Sequence, residues 1–164
     1  YKIECAVSRK QELIHLQYKV IGDISSIYIP AKRGFKSQTN DLWKSTCFEL
    51  FIKGKNTSQY LEFNWAPNGN WNIYYFSAYR KIAHKKVLFI ATNTKYLQKS
   101  GEIIFQATIN LNDYKPTVNL INDNIVVGTS VILQNRTSQK LSYWSKSHHL
   151  ETPDFHHEKD FFSL

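Results

Sequence analysis

The sequence predicts an all-β protein, folded as an antiparallel β-sandwich. Apolar and polar residues alternate along much of the chain; from Ile14 to Val20, for example, every second residue is apolar. Turn-forming residues separate these segments at intervals typical of sandwiches. Helical periodicity is weak throughout, and a single helical turn is predicted at residues 111–114. The 164 residues are enough for one core, so residues 1–164 are predicted to form a single domain.

The predicted strands follow from the alternation and from the turn signals between them. In chain order they are Leu13–Val20, Ile24–Ile29, Thr46–Ile52, Tyr60–Trp65, Trp71–Ala78, Val87–Thr92, Ile103–Asn110, Ile125–Gln134 and Leu141–Trp144. Pro67-Asn-Gly-Asn70 contains residues that favour tight turns, so the strands on either side of it are predicted to form a hairpin. Residues 54–58 are a second connection of this kind. Residues 31–41 are predicted to be a longer, basic loop.

Composition excludes several classes of protein. Hydrophobic residues make up 42% of the chain and charged residues 21%, which is typical of a globular domain. No apolar run approaches the ~18 residues of a membrane span. The N-terminus lacks the apolar core of a secretion signal, so a cytoplasmic location is expected unless processing has removed such a segment. Cys5 and Cys47 form no disulfide or metal-binding pattern, and Cys47 is predicted to be a small buried residue.

The net charge of +8 raises the question of nucleic-acid binding, because lysine and arginine can neutralise phosphates. The basic residues are scattered, however, and form one cluster only, at residues 80–86, which is predicted to be a loop. A basic balance of this kind more often supports solubility or weak nonspecific contacts. The sequence therefore predicts no specific nucleic-acid partner.

Carboxylates and aromatic rings occur together around the segments 41–52 and 60–71. Glu49 and Glu62 lie in predicted strands, and Trp43 lies near a turn. A pyranose ring offers an apolar face for stacking and hydroxyls for carboxylate and amide partners, so this combination predicts a saccharide site. The same alternation is also typical of an ordinary sheet with one face in water.

Several motifs in this order resemble the bacterial DOMON-like domains, which are similar in fold to family 9 carbohydrate-binding modules. The motifs are Leu42–Phe51, Glu62–Trp71, Tyr79-Arg80, Leu141–Trp144 and Pro153–His157, and the resemblance covers nearly the whole chain. It implies a jelly-roll-like antiparallel β-sandwich. It also implies that the C-terminal motif packs back on the sandwich, with Phe155 buried.

The resemblance further implies which residues hold a ligand. Trp43 and Trp144 look like the pair of rings that hold a sugar, and Glu49 and Asn64 match polar contacts of that site. At Glu62 the chain departs from the pattern, because the sugar modules tend to carry Arg there; a carboxylate reverses the charge and removes donors. Arg80 is a further candidate contact. The predicted partner is thus a small polar ligand, namely a saccharide or a sugar-containing metabolite.

Two alternatives stay open at this stage: a haem-binding or redox module, and a protein-interaction domain without a small ligand. Haem-binding relatives use Met and His, and this chain contains no Met. A bis-His site would draw on the histidines of the C-terminal region, namely His148, His149, His156 and His157. Without haem, no cofactor is expected. Glu49 and Glu62 could form an acid/base pair, but no nucleophile elbow, phosphate loop or metal-ligand spacing accompanies them, so no catalysis is predicted.

Overall fold

The predicted all-β sandwich is confirmed: two antiparallel sheets pack face to face around a common core. The computed structural model describes residues 1–31, 35–83, 92–114, 124–148 and 151–164. Within these ranges, no helix is long and apolar enough to cross a membrane. The predicted strand Val87–Thr92 lies outside the described residues except for Thr92.

One sheet has four strands in the order β1–β2–β8–β7, and the other has seven. The seven-stranded sheet has the order β10–β9–β3–β4–β5–β6, and β11 pairs with β9. The bounds are β1 Lys2–Lys10, β2 Leu13–Ile21, β3 Cys47–Gly54, β4 Tyr60–Trp65, β5 Trp71–Ala78, β6 Lys81–Ile82, β7 Asn93–Lys99, β8 Glu102–Asn110, β9 Ile125–Gln134, β10 Leu141–Ser145 and β11 Phe162–Ser163. Short 3₁₀ helices span Ile24–Ser26, Leu42–Lys44, Leu111–Tyr114 and Glu158–Asp160.

Most predicted strands are confirmed, and one is wrong. Residues 24–29 were expected to be a strand, but Ile24–Ser26 is a 3₁₀ helix and only Ile27 forms an isolated bridge. Ser25 and Ser26 donate hydrogen bonds to Asp23, which stabilise a turn in place of an extended strand. The sequence prediction also missed β1 and β7, whose residues are mostly polar and exposed.

The two predicted connections around β4 are confirmed. β4 pairs antiparallel with both β3 and β5, and the β4–β5 hairpin turns at Gly69, whose φ of +96° is one that glycine adopts without strain. The backbone N–H of Gly69 donates to the carbonyl oxygen of Ala66 over 2.9 Å. The hairpin sets β3, β4 and β5 side by side, in the middle of the larger sheet.

The core lies between the sheets and takes alternate residues of each strand. From β3 it takes Phe48, Leu50 and Ile52. Phe48 stacks on Phe105 of the opposite sheet, with ring centroids 4.6 Å apart and an angle of 3° between the planes. The other residues of β3, including Cys47 and Glu49, point away from this core, as the period of two predicts.

The side of the seven-stranded sheet that points away from the four-stranded sheet is called the outer face here. It is covered in part, because every residue of β4 and nearly every residue of β3 is buried. The cover comes from the 3₁₀ helix Leu42–Lys44 and from the C-terminal segment, residues 153–162, whose Phe155 and Phe161 pack on outer-face residues. The predicted return of the C-terminal motif to the sandwich is therefore confirmed, although Phe155 is half-buried.

Candidate functional site

A cavity of about 310 Å³ opens on the outer face between the sheet and its cover, and we call it the outer-face groove. Strands β3, β4, β5, β9 and β10 supply its floor and one side, and the C-terminal segment supplies another. Its lining residues are Trp43, Glu49, Phe51, Glu62, Tyr74, Phe76, Arg80, Ile82, Ile132, Tyr143, Pro153, Phe155 and His156. The groove thus combines several aromatic rings with two buried carboxyl groups.

Glu49 and Glu62 lie close together because their strands are paired. Glu49 is opposite Asn64, and Glu62 is two residues away on the same face, which makes the two glutamates diagonal neighbours. Their exposed fractions are only 2% and 6%. Two carboxyl groups on one buried face repel each other when both are ionised, so this arrangement requires specific compensation.

Hydrogen bonds satisfy one oxygen of each glutamate. The Ser130 hydroxyl donates to Oε2 of Glu49 over 2.6 Å, and the Asn64 amide donates to Oε1 of Glu62 over the same distance. Asn64 is fully buried and accepts in turn from the Cys47 thiol. Asn64 is absent from the groove lining, so its visible role is to position Glu62; its predicted ligand contact remains a prediction.

Burial dominates the ionisation of both glutamates. Loss of water raises the pKa of Glu49 to about 8 and that of Glu62 to about 7, and for Glu49 the charge of Glu62 adds to the effect. The hydrogen bonds from Ser130 and Asn64, and the charge of Arg80 near Glu62, act in the opposite direction. The pair therefore holds at least one proton near neutral pH, and the two titrate as one unit.

Arg80 lies at the groove, but its partner is Asp154. Its Nη2 and Nε donate to Oδ1 of Asp154 over 2.7 and 3.2 Å, and the Tyr79 hydroxyl donates to the same carboxyl group. The Arg80 guanidinium is thus held by Asp154, although its charge still acts to lower the pKa of Glu62. Because Asp154 belongs to the C-terminal segment, this ion pair ties that segment to the turn after β5.

His156 is the groove residue that links the cover to the floor. The Tyr60 hydroxyl accepts from the backbone N–H of Arg80 and bonds to Nδ1 of His156 over 2.8 Å, while Nε2 of His156 lies 3.7 Å from Oε2 of Glu62. Burial, assisted by the charge of Arg80, lowers the pKa of His156 to about 4. The imidazole is therefore neutral at physiological pH and supplies no positive charge to Glu62.

Aromatic rings form the upper walls of the groove. Trp43 contacts Tyr74 edge-on, with centroids 5.5 Å apart, and Tyr143 contacts Phe155 at 6.1 Å. Leu42, next to Trp43, is buried in a small apolar cluster and so anchors the indole at the rim. These rings are half-buried or partly exposed, as a surface for stacking must be.

Trp144 lies elsewhere. Successive residues of β10 point to opposite sides: Tyr143 pairs with Ile132 and lines the groove, whereas Trp144 pairs with Val131 and packs against the core. Trp144 contacts Tyr1 and lines a second cavity of about 620 Å³. The prediction that Trp43 and Trp144 flank one cleft is wrong, and Tyr143 occupies the place expected for the second ring.

Sequence reasoning did not select three groove residues, Tyr74, Tyr143 and Phe155, as ligand contacts. For Tyr74 a signal was present. It lies two residues after Asn72, on the same face of β5, and directly opposite Glu62 of β4. For Tyr143 the choice depended on the orientation of β10, which the sequence Leu-Ser-Tyr-Trp does not decide. Phe155 was recognised as a packing residue, and it also lines the groove.

The described histidines do not share one site. His156 lines the groove, His148 is exposed, and Nδ1 of His157 accepts from the backbone N–H of Lys159 at the 3₁₀ helix Glu158–Asp160. His149 lies outside the described residues. Among the residues that are described, no group of three His, Cys, Asp or Glu side chains is arranged to hold a metal ion.

Comparison with known proteins gives one informative similarity. No known family matches the sequence, and no curated protein matches it either. The fold is similar to the crystal structure of a protein from Bacteroides uniformis described as "a putative carbohydrate-binding protein", with a TM-score of 0.68 and 18% sequence identity. The match covers 99% of this chain and 77% of that one. At this identity the similarity establishes the sandwich fold.

Proposed function

We propose that the protein binds a saccharide in the outer-face groove and does not transform it. The observation that carries the proposal is the pair of buried carboxyl groups, Glu49 and Glu62, on the floor of a cavity with aromatic walls. Sugars need both features, because their ring faces stack on aromatic side chains while their hydroxyls require buried hydrogen-bonding partners.

Each part of the groove has a role in this proposal. Trp43 and Tyr143 stack on the apolar faces of the sugar ring, and Glu49 and Glu62 exchange hydrogen bonds with its hydroxyls. The Arg80 guanidinium, held by Asp154, is a further donor at the edge. The volume of about 310 Å³ matches the lower end of small-molecule sites and favours one sugar unit, such as a terminal residue of a chain.

Two similarities support the saccharide class. The B. uniformis protein that shares the fold is described as carbohydrate-binding, and the sequence motifs resemble those of DOMON-like domains and family 9 carbohydrate-binding modules. Membership of that group, the jelly-roll arrangement it implies and the identity of the sugar all belong to the proposal. Trp144, which that resemblance assigned to the ligand, is given no part in the groove.

The experiment is isothermal calorimetry with a panel of monosaccharides and their short oligomers, on the wild type and two variants. Trp43→Ala removes a stacking ring, worth about 0.5–1.5 kcal/mol, so the affinity should fall about two- to tenfold. Trp144→Phe is the matched control, because it alters an indole outside the groove and keeps an aromatic ring in the core. Its affinity should equal that of the wild type.

Three results would contradict the proposal. One is the absence of heat with every sugar tested, and another is a loss of affinity in Trp144→Phe but not in Trp43→Ala. The third is release of sugar products during long incubation, because Glu49 and Glu62 would then act as an acid/base pair instead of binding groups.

A further inference from the structure

We infer that the outer-face groove selects a saccharide that carries an ammonium group, of the class of deacetylated amino sugars. The inference deepens the proposed function and rests on it. Three independent features of the groove support it: the balance of charges, an oxygen without a donor, and the arrangement of the aromatic rings.

The charges that line the groove do not balance within the described residues. Glu49 and Glu62 are acidic, and the one cation among the described lining residues, the guanidinium of Arg80, donates its hydrogen bonds to Asp154. His156 is the remaining basic group, and its burial keeps it neutral. A positively charged ligand group would allow both carboxyl groups to ionise and to release the proton that they hold in the free protein, whereas an anionic ligand would add to the repulsion.

One carboxylate oxygen is open to such a group. Ser130 donates to Oε2 of Glu49, but among the described residues no group donates to Oε1. Glu49 is only 2% exposed and lines the groove, so its carboxyl group is within reach of a ligand in the cavity. An ammonium N–H is a strong donor to a carboxylate oxygen, because the charges on both groups strengthen the hydrogen bond.

The aromatic walls suit a cation as well as a sugar ring. Trp43 and Tyr74 meet edge-on, and Tyr143 and Phe155 form a second pair. Ring faces attract ammonium groups through their quadrupole, and cages of aromatic rings recognise alkylated ammonium groups in this way. A neutral sugar would stack on the rings and form hydrogen bonds with the carboxyl groups, but it would supply no positive charge to them.

The acidic floor contrasts with the net charge of the whole chain, which is +8. Long-range attraction therefore does not draw a cation to this protein, and selectivity for one must come from contacts inside the groove. This contrast allows a clear test, because a variant that changes net charge far from the groove should leave the selectivity intact.

The test is calorimetry at pH 7 and low salt with glucosamine, glucose and N-acetylglucosamine as probes. These sugars share one ring and differ in the group at one carbon: an ammonium, a hydroxyl or a neutral amide. We expect the wild type to bind glucosamine at least tenfold more tightly than the other two. Glu49→Gln keeps the size of the side chain but cannot ionise when an ammonium group binds, so it should bring the three affinities within about threefold of one another.

Glu102→Gln is the control variant, because it removes a carboxylate from β8 in the four-stranded sheet, where Glu102 pairs with Lys19. It should keep the full preference for glucosamine. Circular dichroism and thermal unfolding of each variant show that it is folded before it is titrated.

The outcomes separate the two proposals. Binding of glucose with an affinity equal to or above that of glucosamine overturns the inference and leaves the saccharide site standing. An equal loss of preference in Glu102→Gln and Glu49→Gln also overturns the inference, because the preference would then reflect general charge. If none of the three sugars nor any other saccharide binds, the proposed function fails and the inference fails with it.

Discussion

At the scale of single residues, Glu49 has the greatest influence on how this domain responds to pH. It is buried at the centre of the larger sheet, one hydrogen bond from Ser130 and diagonal to Glu62. A core of this size would be more stable with an apolar residue of similar volume at that place. The presence of two carboxyl groups on a buried face therefore points to a task other than stability.

The first prediction concerns stability against pH. The folded-state pKa of Glu49 is about 8 and that of Glu62 about 7, both above the ordinary value of 4.5, so the folded state binds more protons than the unfolded state between these values. The free energy of unfolding should therefore fall as pH rises from 6.5 to 8. Glu49→Gln should reduce this slope and raise stability at pH 8 by on the order of 1 kcal/mol.

Urea unfolding at pH 6.5, 7.25 and 8 measures the slope. His156 has the opposite effect, because its pKa is lowered to about 4 and stability gained from it appears as pH rises from 4 to 6.5; the chosen range lies above that window. The distant Glu102→Gln variant should retain the wild-type slope. A wild-type stability that increases from pH 6.5 to 8 would show that Glu49 and Glu62 ionise at ordinary values.

Sequence reasoning succeeded where the alternation shows which residues of a strand face the core, and it failed where the alternation does not show this. In β3 the apolar residues Phe48, Leu50 and Ile52 mark the core side, so the alternation predicts that Glu49 lies on the other face. In β10, Tyr143 and Trp144 are both aromatic, so the pattern does not show which of the two faces the core. The wrong ring was therefore assigned to the ligand. The pairing of Arg80 with Asp154 joins residues 74 positions apart, and no local signal predicts it.

At the scale of elements, the contact between β9 and the C-terminal segment holds that segment, which forms one side of the outer-face groove, against the sheet. Gly128 of β9 lies under the ring of Phe161, and a Cβ atom at this position would be 2.5 Å from Cε1 and 2.7 Å from Cδ1 of that ring. Such distances are far below van der Waals contact. The segment can therefore lie flat on the sheet only because residue 128 has no side chain.

The second prediction is that Gly128→Ala displaces Phe161 and destabilises the domain by about 1–3 kcal/mol, the usual cost of overpacking. The measurement is a double-mutant cycle by urea unfolding, with Phe161→Ala and the combined variant. Once the ring is absent, Gly128→Ala should cost much less. An equal cost in both backgrounds would mean that the ring is not the obstacle.

The third prediction concerns deletion of residues 153–164. The deletion removes Phe155 and Phe161 from the outer face, together with β11, and exposes the outer-face rings of Phe51, Tyr60 and Phe76. Burial of one large apolar side chain contributes about 1.5–3 kcal/mol, so the deletion should cost several kcal/mol and lower the thermal midpoint strongly. Unchanged thermal unfolding would show that this segment is dispensable for the fold.

The strands themselves were largely predictable, and the reasons for the exceptions are physical. β2, β3, β4, β5, β8 and β9 carry clear apolar alternation because at least one face of each is buried. The edge strands β1 and β7 are mostly exposed. Few of their positions have to be apolar, so the alternation of apolar and polar residues is weak in them. In residues 24–29 the hydrogen bonds of Ser25 and Ser26 to Asp23 outweigh the β-propensity of the isoleucines.

At the scale of the whole molecule, two sheets with different tasks share one core. The four-stranded sheet presents a polar outer surface, with Gln17 bonded to Gln106, which is what a solvated face requires. The seven-stranded sheet is buried on both sides in its middle strands, and its outer face holds the carboxyl pair. The sandwich class was predictable from alternation and turns, whereas the cover of one sheet by the C-terminal segment depends on contacts distant in sequence.

The central claim is that the ligand occupies the outer-face groove and not the cavity at Trp144. The most direct test uses NMR of ¹⁵N-labelled indoles, titrated with the saccharide that binds most tightly in calorimetry. The Trp43 signal should shift in a saturable way, while those of Trp144 and of the buried Trp65 should stay in place. A saturable shift of the Trp144 signal with no change at Trp43 would contradict the account and move the site to the opposite side of the sheet.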